Sequence, residues 1–99
     1  MILTAEAKTG LLEAANYIRF AKGEPLSADR WLAGAHKAIA SLQELPKAHP
    51  VVREDVRSAL PLRHLVYHTH RIFFTVDDDR LAVTVLRVHH SAQSFPEEL

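Results

Sequence analysis

The chain has 99 residues, equal numbers of acidic and basic side chains, no cysteine and 47% hydrophobic residues. These values predict one globular domain over residues 1–99 and exclude a disulfide scaffold, a thiolate zinc site and a disordered chain. No apolar run approaches the roughly 18 residues that a membrane-spanning helix needs. The start MILTAEAKTG does not resemble a signal peptide, so we expect a cytoplasmic protein with no membrane partner.

The first predicted helix follows a short apolar start at Ile2 and Leu3. Thr4 is a suitable N-cap, because its hydroxyl can accept a hydrogen bond from a first-turn amide. Apolar residues then recur at three- and four-residue spacing and predict one buried stripe: Ala7, Leu11, Ala14 and Ile18. Gly23 and Pro25 are expected to end this helix.

A second helix is predicted from an N-cap at Ser27 to Pro46. Its apolar stripe consists of Trp31, Leu32, Ala35, Ala38, Ile39, Leu42 and Leu45. The alanines favour a close antiparallel pairing with the first helix. Trp31 at a stripe position is typical of a core residue, with binding of a nucleobase as the alternative. The segment from Pro46 to Pro61 follows neither period, and we expect a loop there with at most a short helical turn.

β-Branched and aromatic residues dominate from Leu62 onwards, which favours strands. The run Asp77-Asp78-Asp79-Arg80 is typical of a tight turn, because aspartates tolerate turn conformations and remain solvated. Three antiparallel strands are therefore predicted, at residues 62–67, 70–76 and 81–89.

Alternation in the last two strands predicts which side chains face the helices. A short loop pairs Phe74 with Val83 and Ile72 with Val85, although a one-residue slip would exchange the faces of one strand. The helix-facing side then carries Ile72, Phe74, Val76, Leu81, Val83 and Val85. The helix-free side carries Arg71, Phe73, Thr75, Thr84, Leu86 and His90. This register places Arg71 where a partner can reach it.

This order of elements accompanies motifs of a known superfamily. The motifs are RWLAGAHKAIASLQELP in the second helix, LRHLV and HRIFFTVDDDRLAVTVLRV in the strands, and the closing HH. Over Leu3–Gln93 the chain resembles the RelE/ParE toxins of bacterial toxin–antitoxin pairs, often called plasmid-stabilisation proteins. The family usually has Tyr-Arg-Ile where this chain has His70-Arg71-Ile72. The resemblance implies an α+β fold of order β-α-α-β-β-β, with an N-terminal antiparallel helix pair packed on a small antiparallel sheet.

The resemblance also implies a function and partners. ParE-like members are non-enzymatic inhibitors of DNA gyrase, whereas RelE-like and YoeB-like members cut mRNA in the ribosome. The long helix pair and its RWL…AI..L..LP pattern look more like ParE, so we expect a gyrase-directed toxin that causes growth arrest and needs no cofactor. A cognate antitoxin is the expected protein partner. The expected assembly is a toxin–antitoxin hetero-oligomer or a homodimer of the toxin. Ribosome-dependent mRNA cleavage and an inactive antitoxin-binding domain are the alternatives.

The candidate target contacts are Arg63, Arg71 and Arg87, because the guanidinium fork pairs well with carboxylate or phosphate. The predicted register puts Arg87 on the helix-facing side, which makes it the weakest of the three. In the nuclease alternative Arg71 matches the arginine that serves the phosphate, and His89 matches the YoeB-like histidine. His90 then stands where a tyrosine is usual. The stretch 91–95 lacks the basic residues and tyrosine of RelE-like members.

Histidine spacing raises a metal site as a further alternative. His68-x-His70 and His89-His90 can approach each other across a hairpin, and imidazole suits zinc or copper. Neighbouring strand residues point to opposite faces, however, and no carboxylate has matching spacing. The sequence therefore predicts no metal site.

Overall fold

The structure, a computed structural model, describes residues 1–91. The segment 92–99, which holds most of the stretch 91–95 considered above, lies outside the described residues. Two helices and a mixed sheet form the α+β architecture that the resemblance implied. The elements are β1 (Ile2–Leu3), α1 (Ala5–Asn16), a π-helical turn (Tyr17–Ala21), α2 (Pro25–Ser41), a 3-10 turn (Pro46–Ala48), β2 (Val51–Glu54), β3 (Pro61–Tyr67), β4 (His70–Asp77) and β5 (Ala82–His90).

The five strands form one sheet in the order β1-β5-β4-β3-β2. β1 runs parallel to β5, and the other neighbouring strands are antiparallel. Both helices pack on one face of this sheet, and the other face is free of helices. Among residues 1–91, no helix has the length and apolar character that crossing a membrane requires.

The helix ends follow from their local sequence. The hydroxyl of Thr4 accepts a 3.1 Å hydrogen bond from the amide of Ala7, which confirms the predicted N-cap. Gly23 has φ +67° just beyond the π-helical turn, a conformation that glycine adopts without steric cost. The start predicted for α2 at Ser27 is wrong, because the helix begins at Pro25. Proline suits a first helical position, where its missing N–H would have no partner.

The main core lies between the helices and the sheet. Its buried members are Ala7, Leu11, Ala35, Ile39, Leu42, Ile72, Phe74, Val85 and Val88. Gly10 lets α1 approach β5 directly, since a Cβ there would lie 2.8 Å from the Val88 carbonyl oxygen. Leu45 was predicted to extend the stripe of α2, but it is 73% exposed because the helix ends at Ser41.

The segment from Pro46 to Pro61, which was predicted as a loop, contains β2. Its four residues pair antiparallel with the start of β3, and an irregularity falls between Val51 and Arg53. The prediction failed here because Pro50 and the charged run after Val52 hide the alternation of a strand this short. The helical turn considered for this region is the 3-10 turn that precedes β2.

The predicted register of the last hairpin is wrong by two residues near the turn. Phe74 pairs with Val85 instead of Val83, because Asp77 pairs with Ala82 and the four-residue turn lies at 78–81 instead of 77–80. Leu81 belongs to this turn with φ +51° and is 92% exposed, so it does not join the core. A shift of two residues preserves the faces, and Phe74 and Val85 therefore still meet the helices.

A β-bulge changes the faces further along β5. The pairing of Phe73 with Arg87 and of Phe74 with Val85 leaves Leu86 as an extra residue. From this point the alternation is inverted relative to the prediction. Arg87 lies opposite Phe73, on the helix-free side, whereas Val88 is buried in the main core.

Candidate functional site

Arg71 lies on the helix-free side of the central strand β4, one residue after the strand begins at His70. It stands two residues from Phe73, whose side chain packs with Leu62 in a small core separate from the helices. Across the sheet its neighbours are Val66 on β3 and His89 on β5. Arg71 is half-buried, so its position on a central strand is fixed while its guanidinium can reach solvent. We call the surface formed by Arg71, His64, Phe73 and His89 the arginine face.

Two histidines flank Arg71 on this surface. His64 pairs with Phe73, and the two rings have centroids 6.2 Å apart. His89 pairs with Arg71, and its ring centroid lies 6.4 Å from that of Phe73. Two strands of the sheet thus bring these imidazoles to opposite sides of the same guanidinium.

The electrostatics of the arginine face keep both histidines neutral near pH 7. Burial and then the charge of Arg71 lower the pKa of His64. Burial, followed by the charges of Arg87 and Arg71, lowers the pKa of His89. A neutral imidazole can accept a proton or a hydrogen bond at one nitrogen and donate at the other. The Nδ1 atom of His64 is buried and has no hydrogen-bond partner among residues 1–91.

A rigid apolar floor supports these polar groups. Phe73 is 1% exposed and Leu62 is fully buried. Val52 of β2 and Leu86 at the bulge pack against them. A buried floor of this kind limits the conformations of the side chains above it, which favours a preformed binding surface.

Two residues proposed from the sequence lie elsewhere. Arg63 is on the helix-facing side, where its guanidinium donates hydrogen bonds of 3.2 Å to the Lys47 carbonyl and 2.7 Å to the His49 carbonyl. It thereby ties β3 to the segment before β2, so the open position expected for it is wrong. His90 pairs with His70 on the helix-facing side, because the bulge inverts the faces beyond Leu86.

Arg87 lies on the helix-free side, although it was predicted to lie on the helix-facing side. The predicted register put it under the helices, whereas the bulge moves it to the helix-free side beside Phe73. Its charge is close enough to lower the pKa of His89. Arg87 also lines a crevice between α1 and the outer edge of β5, beside Glu6 and Glu13. It therefore adds positive charge at one border of the arginine face.

His64 is a site residue that the sequence interpretation missed. The prediction paired only the last two strands, so the neighbours of Arg71 on β3 were not considered. Extending the pairing through the turn after Tyr67 would have placed His64 opposite Phe73. The signal was therefore present in the first hairpin.

The arginine face combines one guanidinium, two neutral imidazoles and an apolar floor. Such a surface can bind a carboxylate or a phosphate, and its histidines can exchange protons with a bound group. Among residues 1–91, no group of three or more histidine or acidic side chains is arranged to hold a metal ion.

Comparisons with known proteins identify the family. No curated protein matches the sequence significantly. The solved structure titled "Chromosomal ParDE TA system from P. aeruginosa" has a similar fold, with a TM-score of 0.66 at 18% sequence identity. That similarity covers 91% of this chain and 95% of the other. The family described as the ParE toxin of type II toxin–antitoxin system, parDE, matches residues 1–95, and the chain therefore belongs to this family of ParE toxins.

Proposed function

We propose that this protein is a toxin that binds and inhibits DNA gyrase in the cytoplasm and is neutralised by direct binding of its cognate antitoxin. Membership of the ParE toxin family supports the general assignment. The observation that carries the specific proposal is the position of Arg71, on a central strand of the helix-free side above a rigid apolar floor. Stabilisation of the plasmid that encodes it is the biological role we assign to such a pair.

Binding rather than chemistry is favoured by the composition of the arginine face. The side chains that pair around Arg71 and Phe73 are Val66, His64, His89 and Arg87, and none of them is a carboxylate. Guanidinium groups on a sheet are suited to acidic side chains of a protein target, with which they form bidentate hydrogen bonds. Because burial and neighbouring charge lower the pKa of both histidines, they add hydrogen-bonding capacity without further positive charge.

The antitoxin is proposed to bind away from the arginine face, where apolar side chains are exposed. Leu12 on α1 is 57% exposed and borders a crevice with Leu11 and Leu32 between the two helices. Ile2 on the short edge strand β1 is 56% exposed. An amphipathic helix suits the crevice, and an added strand suits the edge.

A supercoiling assay tests the gyrase proposal. Purified toxin should stall supercoiling by DNA gyrase, and added cognate antitoxin should restore it. Arg71→Ala should weaken inhibition at least about tenfold, the order expected for loss of a charge-assisted hydrogen bond. Arg80→Ala is the matched control, because its side chain is 84% exposed in the distant hairpin turn. Unchanged supercoiling at a molar excess of folded toxin would refute the proposal.

Ribosome-dependent mRNA cleavage is a second candidate, and the two histidines beside Arg71 favour it. Cleavage through a 2′-hydroxyl needs a base, an acid and a cation at the phosphate. His64 and His89 can supply the first two and Arg71 the third. Ribosomes programmed with mRNA should then yield codon-specific cuts that disappear in His64→Gln, His89→Gln and Arg71→Ala. Intact mRNA under conditions in which a ribosome-dependent nuclease is active would eliminate this candidate.

A further inference from the structure

A cleft with a mainly apolar lining and a few polar groups lies on the other side of the sheet from the arginine face. It opens where the π-helical turn, the first half of α2 and the turn between β3 and β4 meet, and its volume is about 710 Å³. We call it the histidine cleft and define it by Tyr17, Lys22, Trp31, His70 and His90. Its volume lies within the range of about 300–1,000 Å³ usual for small-molecule sites.

The inner wall of the histidine cleft is an array of rings held in place by packing. The ring of Trp31 meets that of Tyr67 edge to face at 5.5 Å and that of His70 at 5.0 Å. His70 in turn contacts His90 at 5.0 Å. The Tyr67 hydroxyl donates a 2.9 Å hydrogen bond to the Trp31 carbonyl, which ties the hairpin turn to α2. This wall is therefore formed before any ligand arrives.

The outer wall carries an exposed aromatic ring and a cation that lies over it. Tyr17 is 61% exposed, and the Lys22 ammonium lies 6.0 Å from the centroid of its ring. Both belong to the π-helical turn and its C-cap, an irregular segment of a kind often found at functional sites. An exposed tyrosine and a half-buried tryptophan thus line the same cleft and offer two aromatic surfaces to a flat ring.

The polar groups of the histidine cleft indicate a ligand with hydrogen-bonding edges. Burial, with neighbouring histidines, lowers the pKa of His70, so its imidazole is neutral near pH 7 and can both donate and accept. The Thr69 hydroxyl lies 3.2 Å from its Nδ1 atom. An apolar side chain inserted here would remove these groups from water without pairing them, which is unfavourable. A heterocycle with its own donors and acceptors avoids that cost.

We propose that the histidine cleft binds a purine mononucleotide, with the base between Tyr17 and Trp31, its edge against His70, and the phosphate at Lys22. This ligand combines the flat ring, the polar edge and the anion that the three parts of the cleft match. The proposal concerns the helix-facing side alone and does not depend on the target bound at the arginine face.

Trp31 makes the proposal directly measurable, because it is the single tryptophan of the chain. Its fluorescence, excited where nucleotides do not absorb, is recorded while the full chain is titrated with AMP, adenosine or inorganic phosphate. AMP should cause a saturable change, adenosine should bind about tenfold more weakly, and phosphate alone should cause no change.

Variants separate the contributions of the base and the phosphate. Lys22→Gln should weaken AMP binding about tenfold and make it equal to adenosine binding, whereas Tyr17→Leu should weaken both ligands. Lys37→Gln, an exposed lysine of α2 outside the cleft, is the matched control and should bind as the original chain does. Absence of a saturable change at millimolar AMP would overturn the proposal. Equal affinity for AMP and adenosine would overturn it as well.

Discussion

The contact between Gly34 and Tyr67 makes a quantitative prediction about the wall of the histidine cleft. A Cβ at Gly34 would overlap the Tyr67 hydroxyl oxygen and lie 3.2 Å from the Cζ atom. The hydroxyl cannot move away without breaking its hydrogen bond to the Trp31 carbonyl. Gly34→Ala should therefore displace the tyrosine, although alanine is the better helix former.

Three contributions to the free energy of unfolding decide whether Gly34→Ala stabilises or destabilises the protein. Replacing glycine by alanine inside a helix gains about 1 kcal/mol. Loss of the hydrogen bond costs about 1 kcal/mol, and overpacking costs about 1–3 kcal/mol more. The net destabilisation by Gly34→Ala should be about 1–3 kcal/mol. Tyr67→Phe alone should cost about 1 kcal/mol, and in its background Gly34→Ala should be neutral or stabilising because the hydroxyl oxygen is gone.

The coupling energy between Gly34→Ala and Tyr67→Phe is measured by urea unfolding, followed by circular dichroism. The four proteins compared are the original chain, the two single variants and the double variant. We expect the double variant to be more stable than the sum of the single effects predicts, by about 1–3 kcal/mol. Contacting residues usually couple by this amount, whereas independent sites add within about 0.5 kcal/mol. Additive effects of Gly34→Ala and Tyr67→Phe would refute the contact and with it the rigid inner wall of the cleft.

Three further predictions test other parts of the fold. Leu81 has φ +51° and is 92% exposed, so Leu81→Asn should raise the free energy of unfolding in urea by about 0.5 kcal/mol; a loss of stability would contradict the strained turn. Gly10→Ala should destabilise by about 1 kcal/mol in the same assay, because the clash with the Val88 carbonyl outweighs the gain in helix propensity; a stabilised variant would contradict the close approach. The lowered pKa of His70, caused by burial and then by His90 and His89, contributes stability that is present above the unfolded value of about 6.5 and is lost as the pH falls below it. His70→Gln should flatten the decline in urea stability between about pH 7 and pH 5, and an unchanged slope would contradict this assignment.

The parts of the fold that repeat a regular pattern could be predicted from the sequence. The N-cap at Thr4 and the apolar spacing after it identify α1, because both depend only on neighbours within a few residues. Phe74 and Val85 were placed on the helix-facing side in spite of a wrong pairing, since an error of two residues leaves the alternation intact. Local periodicity thus predicted which face of the sheet each side chain occupies, but it did not predict which residues pair across the hairpin.

The missed features depend on geometry that periodicity does not contain. β2 is stabilised by pairing with β3, and its own four residues carry too short a pattern to indicate a strand. Arg63 is withdrawn from the open surface by two carbonyls that precede β2, so its role depends on that same missed strand. His64 was overlooked because its importance comes from neighbours on β4 rather than from its own segment.

The bulge at Leu86 determines which residues of β5 reach each of the two surfaces of the sheet. Beyond it, Arg87 and His89 join the helix-free side, and Val88 and His90 join the helix-facing side. In a regular strand without the bulge, Leu86 would pair with Phe73 and Arg87 would turn under the helices, where an unpaired buried cation is strongly unfavourable. Such a regular strand would also place Val88 opposite Arg71, which removes His89 from the arginine face and His90 from the histidine cleft. Adjacent strand residues always face opposite sides, and the extra residue therefore determines which histidine takes which side: His89 faces the arginine face and His90 lines the cleft on the opposite side of the sheet.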